Sequence, residues 1–210
     1  MSRKILVAST NPGKLKELRE MLGGDIEWVG LSEFPGIGEI EEDGITFAEN
    51  ARKKALGYAK ATGLWTLADD SGLVVDALGG KPGVKSARFA GAKDKDRKIV
   101  DRKNIENLLA LLKNIPQDKR TARFVCCLCL ASPPDERRAS PEKVLIETTG
   151  TLEGLIIDEP AGVNGFGYDP AFFVPKLNKT VAQLSAEEKN AISHRGNALR
   201  KLKSLFFDIF

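Results

Sequence analysis

Apolar positions at the start of the chain change from a continuous run to helical spacing within a few residues. Residues 4–9 form a short apolar run, which predicts a buried strand. Asn11 and Pro12 follow at once, and these residue types are typical of a helix N-cap and of the first helical position. Apolar residues then recur at helical spacing from Leu15 to Leu22. The chain is therefore expected to open with a strand, a tight turn and a helix.

The rest of the pattern continues this alternation and then turns mainly to strands. Thr46 and Glu49 have the T-x-x-E spacing of a capping box, so a second helix is expected to begin there and to end at Gly63. The polar residues 69–72 are expected to form a turn between two strands. Other strands are expected at residues 26–29, 65–68, 73–78, 121–131, 143–149 and 172–174, and other helices over about 99–112 and from about 186 with a break near 193. This order predicts an α/β fold, a single domain over residues 1–210 with a central mixed, twisted sheet flanked by helices.

The composition fits one globular domain and argues against several function classes. Of the 210 residues 42% are hydrophobic, and 32 Lys and Arg face 29 Asp and Glu, which gives a net charge of +3. This near balance argues against a nucleic-acid partner, because proteins that bind nucleic acids usually carry a basic patch. No apolar run approaches the ~20 residues of a membrane helix, and the first residues show no secretory signal. We therefore expect a cytoplasmic protein with no membrane partner.

The three cysteines, Cys126, Cys127 and Cys129, lie in one apolar stretch. Adjacent side chains of a strand point to opposite faces, so the three thiols cannot all bind one metal ion. We expect them to be small apolar core residues in a reducing compartment.

The first turn combines several groups that bind phosphate. Ser9, Thr10 and Asn11 lead from the strand into the helix, where hydroxyl groups, backbone N–H groups and the positive end of the helix dipole meet. Gly13 leaves room for a ligand, and Lys14 adds a positive charge. The Walker A pattern is absent. The turn fits a phosphate site in outline, and an ordinary capped helix with a surface lysine fits it about as well.

Two acidic segments are candidates for a metal site. Asp69 and Asp70 follow a predicted strand, and Glu41, Glu42 and Asp43 lie in a loop before the second helix. Mg²⁺ takes carboxylate oxygens together with substrate phosphates and water, so carboxylates from the two segments suit it. The alternative is that the first pair only forms a turn and the loop acids form a solvated face.

Two segments of the second half have residue types that suit a pocket for a flat ligand. Residues 165–170, GFGYDP, frame aromatic rings and a carboxylate with glycines, which fits either a stacking pocket or a tight turn. Lys189, Ser193, His194 and Arg195 form a basic polar segment at a predicted helix start. With one histidine and no cysteine pair beside it, the chain has no credible zinc site. A Ser-His-Asp triad would depend on that histidine, and no G-x-S-x-G motif supports it.

Taken together, these segments resemble the inosine/xanthosine triphosphate pyrophosphatase family, whose members remove non-standard purine nucleotides from the triphosphate pool. The resemblance runs in order over nearly the whole chain. It rests on the blocks STNPGK (9–14), TFAENARKKA (46–55), ADDSGL (68–73), PGVKSARFAG (82–91), GFGYDP (165–170) and EEKNAISHRG (187–196). It implies hydrolysis of ITP, dITP and XTP to the monophosphate and pyrophosphate, with Mg²⁺ as cofactor. It also implies a homodimer and a substrate cleft between two lobes.

The resemblance assigns roles to individual residues. The triphosphate would be bound by Ser9, Thr10, Asn11, Gly13, Lys14 and Lys54. Glu42 and Asp70 would hold Mg²⁺, Asp70 would also be the general base, and Ser71 would contact the substrate. The purine would be bound by Phe166, Gly167, Tyr168, Asp169, Lys189, His194 and Arg195.

Selectivity for the purine would follow from hydrogen-bond chemistry. Arg195 can only donate hydrogen bonds, so it suits the 6-oxo group of hypoxanthine or xanthine and opposes the 6-amino group of adenine. Guanine shares the 6-oxo group, so its rejection requires a contact at the 2-position. The chain departs from the family at Lys85, where an aromatic residue is frequent, and in the more elaborate connection over residues 132–142.

Two other functions compete with this one. A Maf-type pyrophosphatase would prefer modified pyrimidines, dTTP or UTP, but its S-P-R-R motif after the first strand is absent here. A catalytically silent nucleotide-binding module would lack the metal carboxylates, whereas this chain keeps Glu42 and Asp70.

Overall fold

A computed structural model describes residues 3–22 and 26–206 of the chain. The strands are β1 (Arg3–Ala8), β2 (Ile26–Gly30), β3 (Trp65–Val75), β4 (Thr121–Ser132), β5 (Lys143–Ile156), β6 (Phe172–Val174) and β7 (Lys179–Thr180). The helices are α1 (Pro12–Leu22), α2 (Phe47–Thr62), α3 (Arg97–Leu112), α4 (Ala186–Ile192) and α5 (His194–Phe206). None of the described helices is long and apolar enough to cross a membrane.

The strands form one sheet in the order β2-β1-β3-β4-β5-β6-β7. β1 pairs in parallel with β2 and β3, whereas β6 pairs antiparallel with β5 and β7. A mixed sheet with helices between its strands confirms the predicted α/β class. The single domain over residues 1–210 and the cleft between lobes stay predictions.

Contacts between residues divide the chain into two compact units. The first unit comprises Met1–Asp70, Cys126–Gly150 and Arg195–Phe210. Its core is built from apolar side chains of β1, α1, β3, β4, β5 and α5, namely Ile5, Val7, Leu18, Leu67, Cys126, Leu128, Leu130, Ile146, Ala198, Leu199 and Leu202. These residues recur at two-residue spacing on the strands, so one face of each strand supplies the core.

The second unit comprises Ser71–Val125 and Thr151–His194. Its core includes Leu73, Ile105, Leu108, Phe124, Ile156, Tyr168 and Phe172. On α3 the buried positions are Val100, Asp101, Asn104, Ile105, Leu108 and Leu112, the three- and four-residue spacing of an amphipathic helix. The predicted helix over about 99–112 is confirmed.

The second helix begins at the predicted capping box. The Thr46 hydroxyl accepts from the Glu49 amide at 3.2 Å, and the Glu49 carboxylate accepts from the amides of Thr46 at 3.2 Å and Ile45 at 2.8 Å. Gly63 ends the helix in the left-handed region with φ 68°. These contacts satisfy orphan N–H groups at the start of α2, which carries two residues of the candidate site.

Some sequence predictions are confirmed and others are wrong. The break at Ser193 between α4 and α5 is confirmed, and all three cysteines are buried, as expected of core residues. The predicted turn at residues 69–72 is wrong, because β3 runs without interruption from Trp65 to Val75. The fifth strand is longer than predicted and reaches Ile156.

Candidate active site

The turn between β1 and α1 is held by its own side chains. The Asn11 side-chain oxygen accepts from the amides of Gly13 at 2.9 Å and Lys14 at 3.3 Å. The Ser9 hydroxyl accepts from the Asn11 amide at 3.2 Å. Thr10 between them is exposed. The predicted strand, capped turn and helix are therefore all present, and Asn11 is the helix cap.

Strand pairing places this turn beside the acidic pair. β1 and β3 are in register with Ala8 opposite Ala68, so Ser9 and Asp69 are the next residues on the two parallel strands. The Lys14 ammonium lies 2.5 Å from Asp69 Oδ1, and its side chain is mostly buried. The first turn and the acidic segment thus meet through one ion pair.

Asp69 is a fully buried carboxylate with donors on both oxygens. Arg195 Nε donates to its Oδ2 at 2.8 Å, and the Cys126 thiol lies 3.1 Å from the same oxygen. Burial opposes ionisation of this group, but the positive charges of Arg195 and Lys14 outweigh burial and hold the Asp69 pKa well below its usual range. Asp69 is therefore ionised at any pH near neutrality.

Arg195 lies at the start of α5 and is only 1% exposed. Its guanidinium bonds to Asp69 and to the carboxylate of Glu17 on α1. Burial alone would lower the Arg195 pKa, but the neighbouring carboxylates raise it further above its usual range. In this structure Arg195 is an anchor between two carboxylates, and its predicted contact with a purine stays a prediction.

Asp70 faces a different set of groups from its neighbour Asp69. Successive side chains of a strand point to opposite faces. Asp70 Oδ1 lies 3.6 Å from the Lys54 ammonium, and Asp70 Oδ2 accepts from the Asn50 amide at 3.1 Å. Lys54 also lies 3.2 Å from Glu42 Oε2, which brings the two predicted metal ligands to one ammonium.

The surroundings of Asp70 favour the protonated form of its carboxyl more than solvent does. Burial raises the Asp70 pKa, the positive charges of Lys54 and Lys14 oppose it, and the net pKa is about 6. Asp69 and Asp70 are thus neighbours in sequence with pKa values shifted in opposite directions. Such a separation is typical of sites in which one carboxylate is permanently charged and the other exchanges protons.

The oxygen donors present fit a Mg²⁺ ion. Glu42 and Asp70 supply hard carboxylate oxygens, and Mg²⁺ commonly takes one or two such groups with the rest from phosphate and water. No group of three or more His, Cys, Asp or Glu suited to a metal occurs within residues 3–22 and 26–206. Two protein carboxylates suit an ion that takes its remaining ligands from phosphate and water. We call Lys14, Glu17, Glu42, Lys54, Asp69, Asp70 and Arg195 the charged cluster.

In the second unit, the GFGYDP segment forms a tight loop fixed by two carboxylates. Asp169 Oδ2 accepts from the Phe166 amide at 2.9 Å, and Asp101 of α3 accepts from the Gly167 amide at 2.8 Å. The Tyr168 hydroxyl donates to the Ser86 carbonyl at 2.8 Å, and Tyr168 itself is buried. The loop therefore presents Phe166, whose ring is half-buried, from a fixed backbone.

Two other predicted base-binding residues, Lys189 and His194, lie in the same unit. The Lys189 ammonium bonds to Asp169 Oδ2 at 2.8 Å and lies 4.6 Å from the centroid of the Phe166 ring. His194 is buried and stacks on Phe124 at 4.9 Å between ring centroids. The structure brings Phe166, Asp169 and Lys189 together, whereas His194 packs against a core ring. Ser71, the predicted substrate contact, is a half-buried residue within β3.

Three residues that shape these sites were not predicted, namely Asn50, Glu17 and Asp101, and for Asp69 its contacts were not predicted. Asn50 precedes Lys54 by one helical turn and Glu17 follows Lys14 by three residues, so helical spacing would have placed each on the face of a predicted site residue. Asp69 was recognised only as one member of an acidic pair. Asp101 carries no sequence signal, because it lies far from the loop that it holds.

Comparison with known proteins agrees with this architecture. Residues 5–205 match the family model described as the Ham1 family. A dITP/XTP pyrophosphatase of Desulforamulus reducens is 51% identical over 199 residues, 94% of this chain and 92% of that protein. A dITP/XTP pyrophosphatase of Bacillus cereus is 48% identical over 202 residues, covering 96% and 93% of the two chains.

Solved structures give the same result for the fold. The Staphylococcus aureus Ham1 protein superposes with a TM-score of 0.82 at 43% identity over 99% of this chain and 100% of its own. A HAM1 protein from Coxiella burnetii has a TM-score of 0.82 at 41% identity over 98% and 99% of the two chains. Since the family model and these relatives cover almost the entire sequence, the chain belongs to the Ham1 family.

Proposed function

We propose that this chain is a Mg²⁺-dependent pyrophosphatase that hydrolyses ITP, dITP and XTP to the nucleoside monophosphate and pyrophosphate. The observation that carries the proposal is the convergence of Glu42 and Asp70 on the Lys54 ammonium, at 3.2 and 3.6 Å, beside a strand-to-helix turn suited to phosphate. Relatives named dITP/XTP pyrophosphatase, 51% and 48% identical over most of the chain, support the substrate class.

The balance of charge in the cluster supports a role for a divalent cation. The charged cluster has three cationic side chains and four carboxylates, so it does not attract a polyphosphate by itself. Glu42 and Asp70 would hold Mg²⁺, which when bound neutralises phosphate charge and favours ionisation of water. The cation would thus reverse the sign of the charge that the cluster presents to a substrate.

Asp70 is the residue best suited to act as the general base. Its pKa of about 6 makes it a stronger proton acceptor than an exposed carboxylate while leaving it ionised at neutral pH. Asn50 fixes the orientation of the carboxyl through Oδ2. Hydrolysis between the α and β phosphates needs an oriented water and charge neutralisation rather than covalent help from the protein. Asp70 would orient the water, and Lys14 and Lys54 would neutralise part of the phosphate charge.

The resemblance implies that the purine is recognised by residues of the GFGYDP segment together with Lys189, His194 and Arg195. The Phe166 ring offers a stacking surface, held by the Asp169 and Lys189 contacts. Arg195 would donate to the 6-oxo group. Arg195→Ala is then expected to weaken discrimination between ITP and ATP by about 1–3 kcal/mol, the contribution of a charged hydrogen bond. An unchanged ratio of kcat/KM values would place recognition of the base elsewhere.

The decisive experiment is a pyrophosphate-release screen across ITP, XTP, GTP, ATP, dTTP and UTP, with and without Mg²⁺. Preferential release from ITP and XTP only with Mg²⁺ is the expected result, and Asp70→Asn should abolish it while the protein stays folded. Preference for dTTP or UTP would support a Maf-type activity, and no turnover would support a silent binding module. Near-normal turnover by Asp70→Asn would exclude Asp70 as base and as metal ligand.

The family resemblance also supports a homodimer, and the near-balanced charge argues against a nucleic-acid partner. We further propose a cytoplasmic location, which the absence of a recognisable secretory signal suggested. Sedimentation of the purified protein tests the oligomeric state, and a single monomeric species would contradict that part of the proposal.

A further inference from the structure

Both lysines predicted to bind phosphate are attached to the same residue. Lys14 on α1 contacts Asp69 through carboxylate Oδ1 at 2.5 Å, and Lys54 on α2 donates to the Asp69 backbone carbonyl at 2.7 Å. The two lysines reach Asp69 from different helices and use chemically different acceptors. Asp69 was predicted only as one member of an acidic pair and not as a partner of phosphate-binding residues, yet both lysines bond to it.

We propose that Asp69 is a positioning residue that fixes the Lys14 ammonium for phosphate binding through its carboxylate, while its backbone carbonyl fixes Lys54. The inference rests on the proposed pyrophosphatase function. A lysine ammonium sits on a flexible four-carbon stem, so holding it in place before the substrate arrives removes an ordering cost from binding.

The surroundings of Asp69 fit a residue that positions Lys14 better than a residue that only forms an ion pair with it. Its second oxygen, Oδ2, is occupied by Arg195 Nε at 2.8 Å and the Cys126 thiol at 3.1 Å, and its side chain has no solvent exposure. Contacts on Oδ2 therefore fix the direction in which Oδ1 points. Lys14, in contrast, keeps 15% exposure of its side chain. The carboxylate is anchored from the buried side, and its lysine partner is the member of the pair that solvent can reach.

The different acceptors for the two lysines allow a matched test. Asp69→Asn removes the charge on the carboxylate but keeps the backbone carbonyl, so of the two lysine attachments only that of Lys14 is disturbed. The bond from Arg195 is weakened as well, and this loss is common to every background. Asp69→Asn is expected to lower kcat/KM for ITP by about 10- to 100-fold, the range for a lost charged hydrogen bond. In a Lys14→Met background the same change should cost at least about 5-fold less, because the lysine that Asp69 positions is gone and only the loss at Arg195 remains.

Lys54→Met provides the control background. Because Lys54 bonds to a backbone atom that Asp69→Asn retains, the two losses should multiply there within about 2-fold. The expected result is that the effect of Asp69→Asn on kcat/KM depends on whether Lys14 is present and does not depend on whether Lys54 is present. Equal coupling with both lysines, or none with either, would overturn the proposal and leave Asp69 as a structural residue. If the unmodified protein releases no pyrophosphate from ITP, it is the proposed function that fails.

A milder variant covers the case in which Asp69→Asn does not fold. Cys126→Ala removes one donor to Asp69 Oδ2 and leaves every charge in place. It is expected to lower kcat/KM by about 2- to 5-fold when Lys14 is present and to have no effect in the Lys14→Met background. A loss of the same size in both backgrounds would contradict positioning through Asp69.

Discussion

The raised pKa of Asp70 predicts that Asp70→Asn stabilises the metal-free protein. Asparagine has the shape of the protonated carboxyl and cannot ionise. The Asp70 pKa is about 6 in the folded chain against an ordinary value of 3.8. At about 1.36 kcal/mol per pKa unit, ionised Asp70 costs the folded state about 3 kcal/mol.

The sign of the pH dependence follows from proton binding. With its pKa raised on folding, Asp70 binds more protons in the folded than in the unfolded state between the two values. Stability is therefore lost as the pH rises from about 3.8 to about 6, and the full cost is present above that window. Relative to the unmodified protein, Asp70→Asn should be about 3 kcal/mol more stable near pH 8 and close to equal near pH 4.

The assay is urea unfolding of both proteins in a chelator across this pH range. Asp69→Asn is the matched comparison, since it leaves buried Arg195 with one carboxylate partner fewer and should destabilise the protein by about 3–5 kcal/mol. A stability difference for Asp70→Asn that does not change with pH, or that is unfavourable near pH 8, would refute the reasoning.

Three further changes test other parts of the structure. Thr46→Ala removes the cap of α2 and should lower the unfolding free energy by about 1 kcal/mol in urea, whereas Thr46→Ser should not. Gly165→Ala places a Cβ 2.0 Å from a carboxylate oxygen at φ +77°, so its Tm should fall below that of Gly91→Ala, where φ is +66° and no atom lies within 4 Å. Asp101→Ala frees an amide of the GFGYDP loop and should raise KM for ITP by about 3- to 10-fold in steady-state assays. Arg97→Ala removes only the ion pair that an exposed arginine makes with Asp101 and should leave KM unchanged, so equal effects of the two would contradict a loop-fixing role.

Local chemistry was enough to predict the elements that begin and end at capping residues. Thr46, Glu49 and Gly63 bound α2 by contacts within a few residues of one another, so the sequence contains all the information needed. The same holds for the break at Ser193, whose extended backbone separates α4 from α5. Hydrophobic spacing likewise gave the buried face of α3.

Distant partners explain the prediction that was wrong. Asp, Ser and Gly in succession favour a turn in a free chain, yet residues 69–72 continue β3. Asp69 is held there by Arg195, which is 126 positions away in sequence, and by Lys14, which is 55 away. These contacts outweigh local propensity, and no local pattern reports them.

In the candidate site, too, some features could be predicted from the sequence and others depend on distant partners. Glu42, Lys54 and Asp70 were predicted from motif resemblance, and the structure places them together, while their roles stay predictions. That Arg195 bonds to Asp69 and Glu17 could not be predicted, because residue type shows that arginine donates but not which acceptor it reaches.

The alternation of side chains along β3 makes its alignment with β1 a functional constraint. Asp69 and Asp70 occupy opposite faces of one strand, and the pairing of Ala8 with Ala68 fixes which face each receives. Deleting one residue between Trp65 and Ala68 would move Asp70 into the place beside Arg195 and shift Asp69 away from it. The permanently charged and the proton-exchanging carboxylates would then no longer occupy their own environments, although no charged residue had been lost. Insertions and deletions in β3 are therefore expected to be selected against more strongly than most substitutions of its apolar side chains.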